Sequence, residues 1–257
     1  MNTIKTIHLI YFSPTHTSLQ VIENIAKGFE NVRIVKHDLT CKALSDTAFD
    51  VADLAIVGIP VYAGRLPKLA VERMESLKGN NIPAVSVVVY GNRAYEDALI
   101  ELQDLMTSKG FRPVASAAFI GEHSYSTPVQ PIAAHRPDEQ DCLFAQKSGK
   151  AIAAKLQTNN TDLPSPKGNR PYKEMPQFTP AAPATDADLC IRCGECITIC
   201  PAEAIDTIDP TLSDKSKCIK CCACVKFCPQ EARTFFQPRA EWLFNNCSVR
   251  KEPELYL

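Results

Sequence analysis

The sequence predicts an α/β protein built on a doubly wound, parallel five-stranded sheet, followed by a small cysteine-rich α+β domain. Three observations predict this. Short apolar runs alternate with amphipathic stretches through residues 4 to 120, a proline-rich segment follows the last helix of that part, and beyond it one cysteine-rich unit occurs twice.

The elements follow in order. Ile4 to Phe12, Val32 to His37, Leu54 to Ile59, Ile82 to Tyr90 and Val114 to Ile120 have the length and apolar content of strands. Between them, Ser18 to Phe29 places Leu19, Ile22, Ile25, Ala26 and Phe29 on one helical face. Leu66 to Leu77 is helix-like, and Ala94 to Lys109 repeats apolar residues at Ala98, Leu102, Leu105 and Met106. Strand alternating with helix implies parallel pairing. A last helix, about Asp138 to Leu156, completes a domain over residues 1–158. Pro164, Pro166, Pro171, Pro176, Pro180 and Pro183 then mark residues 159–184 as a semi-extended linker. Residues 185–238 carry the repeated unit, and 239–257 form a C-terminal tail.

Composition bounds the function. A chain of 257 residues with 45% hydrophobic and 22% charged residues is an ordinary globular protein with room for two domains. A net charge of -1 with scattered basic residues argues against nucleic acid or an anionic membrane as partner. No apolar run approaches the roughly 20 residues needed to cross a bilayer. Met1 to Lys5 and the apolar run broken by His8 carry no cleavage site, so a cytoplasmic location is expected. Of twelve cysteines, only Cys41 and Cys142 precede residue 190. In a reducing compartment such a cluster reads as metal ligands rather than disulfides.

Cys190-Ile-Arg-Cys-Gly-Glu-Cys-Ile-Thr-Ile-Cys-Pro matches Cys218-Ile-Lys-Cys-Cys-Ala-Cys-Val-Lys-Phe-Cys-Pro. Each copy is Cys-x2-Cys-x2-Cys-x3-Cys-Pro, the run that wraps an iron-sulfur cubane. Zinc ribbons instead use paired Cys-x2-Cys knuckles well separated in sequence. The segment from Asp186 to Gln237 closely resembles two-cluster bacterial ferredoxins. That resemblance implies two [4Fe-4S] clusters with crossed ligation: Cys190, Cys193, Cys196 and Cys228 for one, Cys218, Cys221, Cys224 and Cys200 for the other. Cys222 takes the place of Gly194 in the other copy and reads as a packed thiol. Clusters move single electrons and perform no bond chemistry themselves, so a second redox group is expected.

Ser13-Pro14-Thr15-His16-Thr17-Ser18 follows the first strand and leads into a helix. Free first-turn amides, hydroxyls and the helix dipole make this an anion site, although a plain Ser/Thr helix cap uses the same residue types. The absence of lysine argues against a nucleoside triphosphate loop, and the missing Gly-x-Gly-x-x-Gly against a dinucleotide fold. The loop resembles the flavodoxin family, whose phosphate loop is Ser/Thr-x-Thr-Gly-x-Thr, with His16 standing where that family has glycine. The resemblance implies strand order 2-1-3-4-5 with FMN bound outside the carboxyl ends of the strands. It carries Ser13, Thr15, His16, Thr17 and Ser18 over to the phosphate loop. It carries Pro60, Tyr62, Ala63 and Gly64, after the third strand, and Tyr90, Gly91, Asn92 and Tyr95, after the fourth, to the flavin ring. Arg65 and Arg93 either favour an anionic reduced flavin or are solvated loop charges. His123, in the segment from Gly121 to Pro137, is a candidate catalytic proton donor or else a hydrogen-bonded loop histidine, and His135, Arg136 and Asp138 are candidates to cover the site.

Taken whole, the chain resembles the fused flavodoxin-ferredoxin proteins of anaerobic bacteria and archaea. The expectation is an electron-transfer protein passing electrons between the clusters, FMN and a redox partner protein or small-molecule acceptor. A flavin-dependent reductase fed through the clusters is the alternative, and an α/β scaffold without flavin is a third. The tail, with Trp242 and Cys247, is expected to lie against either domain or another subunit, which leaves a homo-oligomer open.

Overall fold

A run such as Asp53–Pro60 is apolar at almost every position, so it is stable only where both of its faces are covered. The computed structural model, which describes residues 4–44, 49–158 and 162–257, covers them. Met1 to Thr3 and the first linker residues, 159–161, lie outside the described residues. Strands β1 (Thr6–Tyr11), β2 (Arg33–Asp38), β3 (Asp53–Pro60), β4 (Pro83–Tyr90) and β5 (Arg112–Ile120) pair in parallel in the order β2-β1-β3-β4-β5. β1 and β4 are buried along their whole length, whereas β2, at the edge, alternates in exposure.

Helices α1 (Thr17–Ala26), α2 (Lys68–Arg73), α3 (Ala98–Ser108) and α4 (Glu139–Gln157) form the outer layers. Two apolar clusters result, one on each side of the sheet. Val21, Ile22 and Ile25 of α1 join Ala145 and Ile152 of α4 on one face, and Leu99, Leu102 and Met106 of α3 meet Met74 and Leu77 on the other. α1 and α4 touch closely because glycines face each other: a Cβ on Gly149 would fall 2.0 Å from the Ile25 carbonyl oxygen.

The proline-rich segment is strapped to α3. The buried Asp97 carboxylate accepts from the amides of Asn169 at 2.8 Å and Lys173 at 2.7 Å. Arg170 and Tyr172 both reach Asp104. Extended, proline-rich chain has backbone donors to spare, and the acidic face of α3 takes them.

Short strands β6 (Ala184–Thr185) and β7 (Arg233–Thr234) pair antiparallel and close the cysteine-rich unit, which holds the single-turn helices α5 (Glu195–Thr198) and α6 (Ala223–Lys226). The tail then returns to the first domain. Helix α7 (Pro238–Asn246) packs Leu243 and Cys247 on Ile132, and β8 (Glu254–Tyr256) pairs antiparallel with β5, adding a sixth strand to the expected five. Among the described residues no helix is long and apolar enough to cross a membrane.

Candidate functional site

Both cysteine units turn at the same point. The residue before each short helix is left-handed: Gly194 with φ 79° in the first copy, Cys222 with φ 60° in the second. Glycine adopts that region freely and cysteine does so at a cost, so the second copy is the more strained. Cys222 is buried, with its thiol 3.7 Å from the Lys220 carbonyl oxygen. Cys200, the fourth cysteine of the first copy, lines one cavity with Cys218, Cys221 and Cys224 of the second. Cys193 lines a different cleft together with Pro229, the residue after Cys228. The Cys200 cavity, which Cys222 also lines, therefore takes its cysteines from both copies. All twelve cysteines are unpaired.

The cysteine unit sits on the carboxyl end of the parallel sheet, the end at which open α/β sheets bind ligands. Several contacts fix it there. Arg73 donates to the Leu39 carbonyl at 3.0 Å, to that of Thr40, and across the boundary to that of Pro201 at 2.5 Å. Lys226 of α6 pairs with Glu122, and the Phe227 ring lies 5.0 Å from that of His16. Ile219 packs against the α2–α3 core cluster. Tyr62 is close enough to the second copy that burial, and then the neighbouring Cys221 and Cys222, hold its phenol well above the usual range.

The loop after β1 is ordered for an anion. Ser13 Oγ accepts from the Leu19 amide at 3.1 Å, and the Thr15 and Thr17 hydroxyls lie 3.1 Å apart. His16 takes the left-handed conformation, φ 63°, that glycine would supply, so the backbone turn survives the substitution. Thr17 and Ser18 open α1, where first-turn amides lack intrahelical acceptors. The Ser18 hydroxyl is buried with no partner among the described residues. An oxyanion at this loop would satisfy it.

The loop after β3 is a tight two-residue turn. Tyr62 and Arg65 exchange backbone hydrogen bonds at 2.9 and 3.1 Å around Ala63 and Gly64, whose φ values are 54° and 83°. Pro60 ends β3 immediately before it. Here the structure keeps the expected residues together at the ligand end.

The loop after β4 is spent differently from the expectation. Tyr90 and Tyr95 are buried in the core with rings 5.4 Å apart, and the Tyr95 hydroxyl bonds Glu254 at 3.0 Å and Tyr256 at 2.9 Å. Asn92 donates to the Cys247 and Val249 carbonyls at 2.6 and 2.8 Å. A Cβ on Gly91 would strike the His123 ring at 2.3 Å, so this glycine makes room for histidine. Asn92 and Tyr95 thus anchor the tail, with Tyr90 packed against Tyr95, because β8 and the turn before it need polar partners at this edge.

The segment from Gly121 to Pro137 also has structural employment. His123 Nδ1 accepts from the Tyr125 amide at 3.0 Å, and burial, with Lys226 and Arg93 nearby, lowers its pKa to about 4. It is a neutral imidazole near pH 7, not a cationic acid. The Arg136 guanidinium, 7% exposed, is paired with the buried Asp141 carboxylate at the start of α4. Asp138 caps that helix, and Arg250 of the tail reaches it at 2.6 Å. The His135 amide is bonded to Glu122. Arg65 pairs with Glu101 and Arg93 with Glu96, so both arginines are committed to protein carboxylates rather than left as solvated charges. Arg73, Glu122 and Phe227 were not visible as docking residues in sequence, since nothing local marks them. Arg233 carried a signal: it occupies, in the second copy, the place of Ile205 in the first.

A family profile described as a 4Fe-4S dicluster domain matches residues 182–229. No curated protein matches the sequence significantly. Among solved structures, a flavodoxin from the domain Archaea is 15% identical, covering 59% of this chain and 99% of that one, with a TM-score of 0.40. A flavodoxin of Streptococcus pneumonia TIGR4 is 16% identical, covering 58% and 99%, with a TM-score of 0.40. Rubredoxin oxygen:oxidoreductase from Desulfovibrio gigas is 15% identical with a TM-score of 0.43; the match covers 61% of this chain and only 37% of that larger protein. The fold class rests on the strand order and not on these likenesses. By that order the first domain has a flavodoxin-like fold, and it is joined to a cysteine-rich segment that matches a 4Fe-4S dicluster domain.

Proposed function

We propose that the chain is an electron-transfer iron-sulfur flavoprotein. Cys190, Cys193, Cys196 and Cys228 would hold one [4Fe-4S] cluster and Cys218, Cys221, Cys224 and Cys200 the other, with FMN anchored through its phosphate on the loop from Ser13 to Ser18. When bound, the clusters supply one-electron chemistry and the flavin one- or two-electron chemistry. The observation that carries the reading is the docking of the second cysteine copy on the ligand end of the sheet, beside Tyr62 and the phosphate loop.

The protein's own residues then have defined tasks. Ser13, Thr15, Thr17 and Ser18 bind the phosphate, and the orphaned Ser18 hydroxyl is the donor most in need of it. Pro60 to Gly64 shape the ring region, while Asn92 and Tyr95 are engaged by the tail and Tyr90 is packed on Tyr95. The exposure of Cys193 supports the first copy as the side at which a redox partner protein or small-molecule acceptor would exchange electrons. Unpaired thiols in this number call for a reducing, cytoplasmic setting. The reductase reading draws no support from His123, which is enclosed between Gly91 and Tyr125.

Oxygen-free purification with iron, sulfide and flavin quantified tests the proposal. Ser18→Ala should weaken flavin binding about tenfold, the loss of one hydrogen bond to a charged group of about 1.5 kcal/mol. Preparations with a full iron complement that take up no FMN would overturn the flavin assignment and leave the cluster assignment standing.

A further inference from the structure

The two cysteine copies continue past their prolines in parallel: Cys200-Pro-Ala-Glu-Ala-Ile205 and Cys228-Pro-Gln-Glu-Ala-Arg233. Ala204 and Ala232 are both buried, as matching positions should be. The next position is also buried in both, Ile205 at 6% exposure and Arg233 at 3%. A fixed positive charge therefore occupies a core position where the sister copy keeps an aliphatic side chain.

Buried charge requires compensation, and an arginine nearly always finds a carboxylate. Arg233 has none: it takes part in no ion pair among the described residues. Its neutral anchors are the Pro210 carbonyl at 2.8 Å from Nη1 and the Ser213 hydroxyl at 2.6 Å from Nη2. Its one other hydrogen-bond partner is sulfur. Nη1 lies 3.7 Å from Cys196 Sγ, a cysteine of the first cluster set, and the side chain lines the cavity formed by Cys200, Cys218, Cys221 and Cys224, the second set. Nε is buried without a partner, a donor left over in a site otherwise satisfied.

We infer that Arg233 is a bridging cation between the two cluster sites, whose guanidinium donates to Cys196 sulfur on one side and lines the cavity of Cys200, Cys218, Cys221 and Cys224 on the other, raising the reduction potentials of both clusters. The inference rests on the two-cluster reading. A cluster held by four thiolates is net negative and becomes more so on gaining an electron, so a nearby buried cation favours the reduced form. Hydrogen bonds to sulfur act in the same direction. Low effective dielectric at a buried site strengthens both effects. Ile205 at the equivalent position can do neither, so the tuning is one-sided within an otherwise repeated unit. Arg233 is a positioning and charge-compensating residue; it transfers nothing itself.

The test uses the full-length protein prepared without oxygen, as wild type, Arg233→Met and Arg233→Lys. Iron and sulfide content is measured first, which examines the two-cluster reading separately. Midpoint potentials follow from redox titration monitored by electron paramagnetic resonance. In a fully assembled Arg233→Met protein both potentials should move to more negative values, with Arg233→Lys between it and wild type. Unchanged potentials with full iron content would overturn the inference. Should Arg233→Met lose iron while remaining folded by circular dichroism, Arg233→Lys decides: recovery of iron by the retained charge supports the inference, and equal loss overturns it.

Discussion

The two copies of the cysteine unit share one spacing and face two different environments. In the first copy, Cys193 is exposed and Ile191 is 63% accessible. In the second, Cys221, Cys222 and Cys224 are buried and Ile219 lies against the main core. Identical ligand spacing thus yields one solvent-facing end and one end pressed onto the α/β domain. The difference shows that ligand geometry and electronic surroundings are set independently. The first is local in sequence, and the second comes from whatever each copy is packed against.

The largest test of that comparison is Cys200→Ala. Cys200 belongs to the first copy by sequence and to the second by position, so its loss should abolish the buried cluster and leave the exposed one, cutting bound iron by about half. Iron analysis and the electron paramagnetic resonance spectrum read this directly; loss confined to the exposed cluster would contradict the crossed arrangement.

Next in size is Arg73→Ala, which leaves the Pro201, Leu39 and Thr40 carbonyls without their donor. A destabilisation of about 1–3 kcal/mol is expected from denaturant unfolding. Because the contact crosses between the domains, limited proteolysis should also show the cysteine unit released more readily, whereas an exposed-copy substitution such as Arg192→Ala should not.

Acidification should act on the docked side. His123 has a folded pKa of about 4 against an ordinary 6.5, lowered first by burial and then by Lys226 of α6. The fold therefore prefers the neutral ring. Its contribution is complete above pH 6.5 and declines as pH falls toward 4. Urea unfolding at pH 7 and pH 5 should show wild type losing more stability than His123→Gln, and equal losses would assign the effect elsewhere.

The smallest effect is expected from Tyr256→Phe, which removes one hydroxyl from the Tyr95–Glu254–Tyr256 set that holds β8 at the sheet edge. A loss of about 0.5–1.5 kcal/mol is expected, with cluster content unchanged.

How far each region could be read from sequence follows from how locally it is specified. The five long strands and four helices lie within a few residues of their expected places because apolar periodicity is a local property. β8 escaped because Glu254–Tyr256 is too short to show a period and exists only by pairing with β5. The loop after β4 has partners of the same distant kind. Asn92 and Tyr95 have the chemistry of a ring site, but their partners Cys247, Val249 and Tyr256 arrive from the far end of the chain. His16 shows the opposite case: a residue unlike the family pattern still adopts the backbone conformation the loop requires.

By itself the sequence determined the repeated cysteine spacing of a 4Fe-4S segment and the alternation of strands with helices, since cysteine spacing and hydrophobic period act over short stretches; the strand order came only as what the family resemblance implies. Tertiary structure alone decided which copy is buried, where the tail closes the sheet, and that Arg233 stands among sulfurs instead of carboxylates. Those outcomes depend on pairs such as Arg73 and Pro201, 128 residues apart, whose proximity is fixed only when the whole chain has folded.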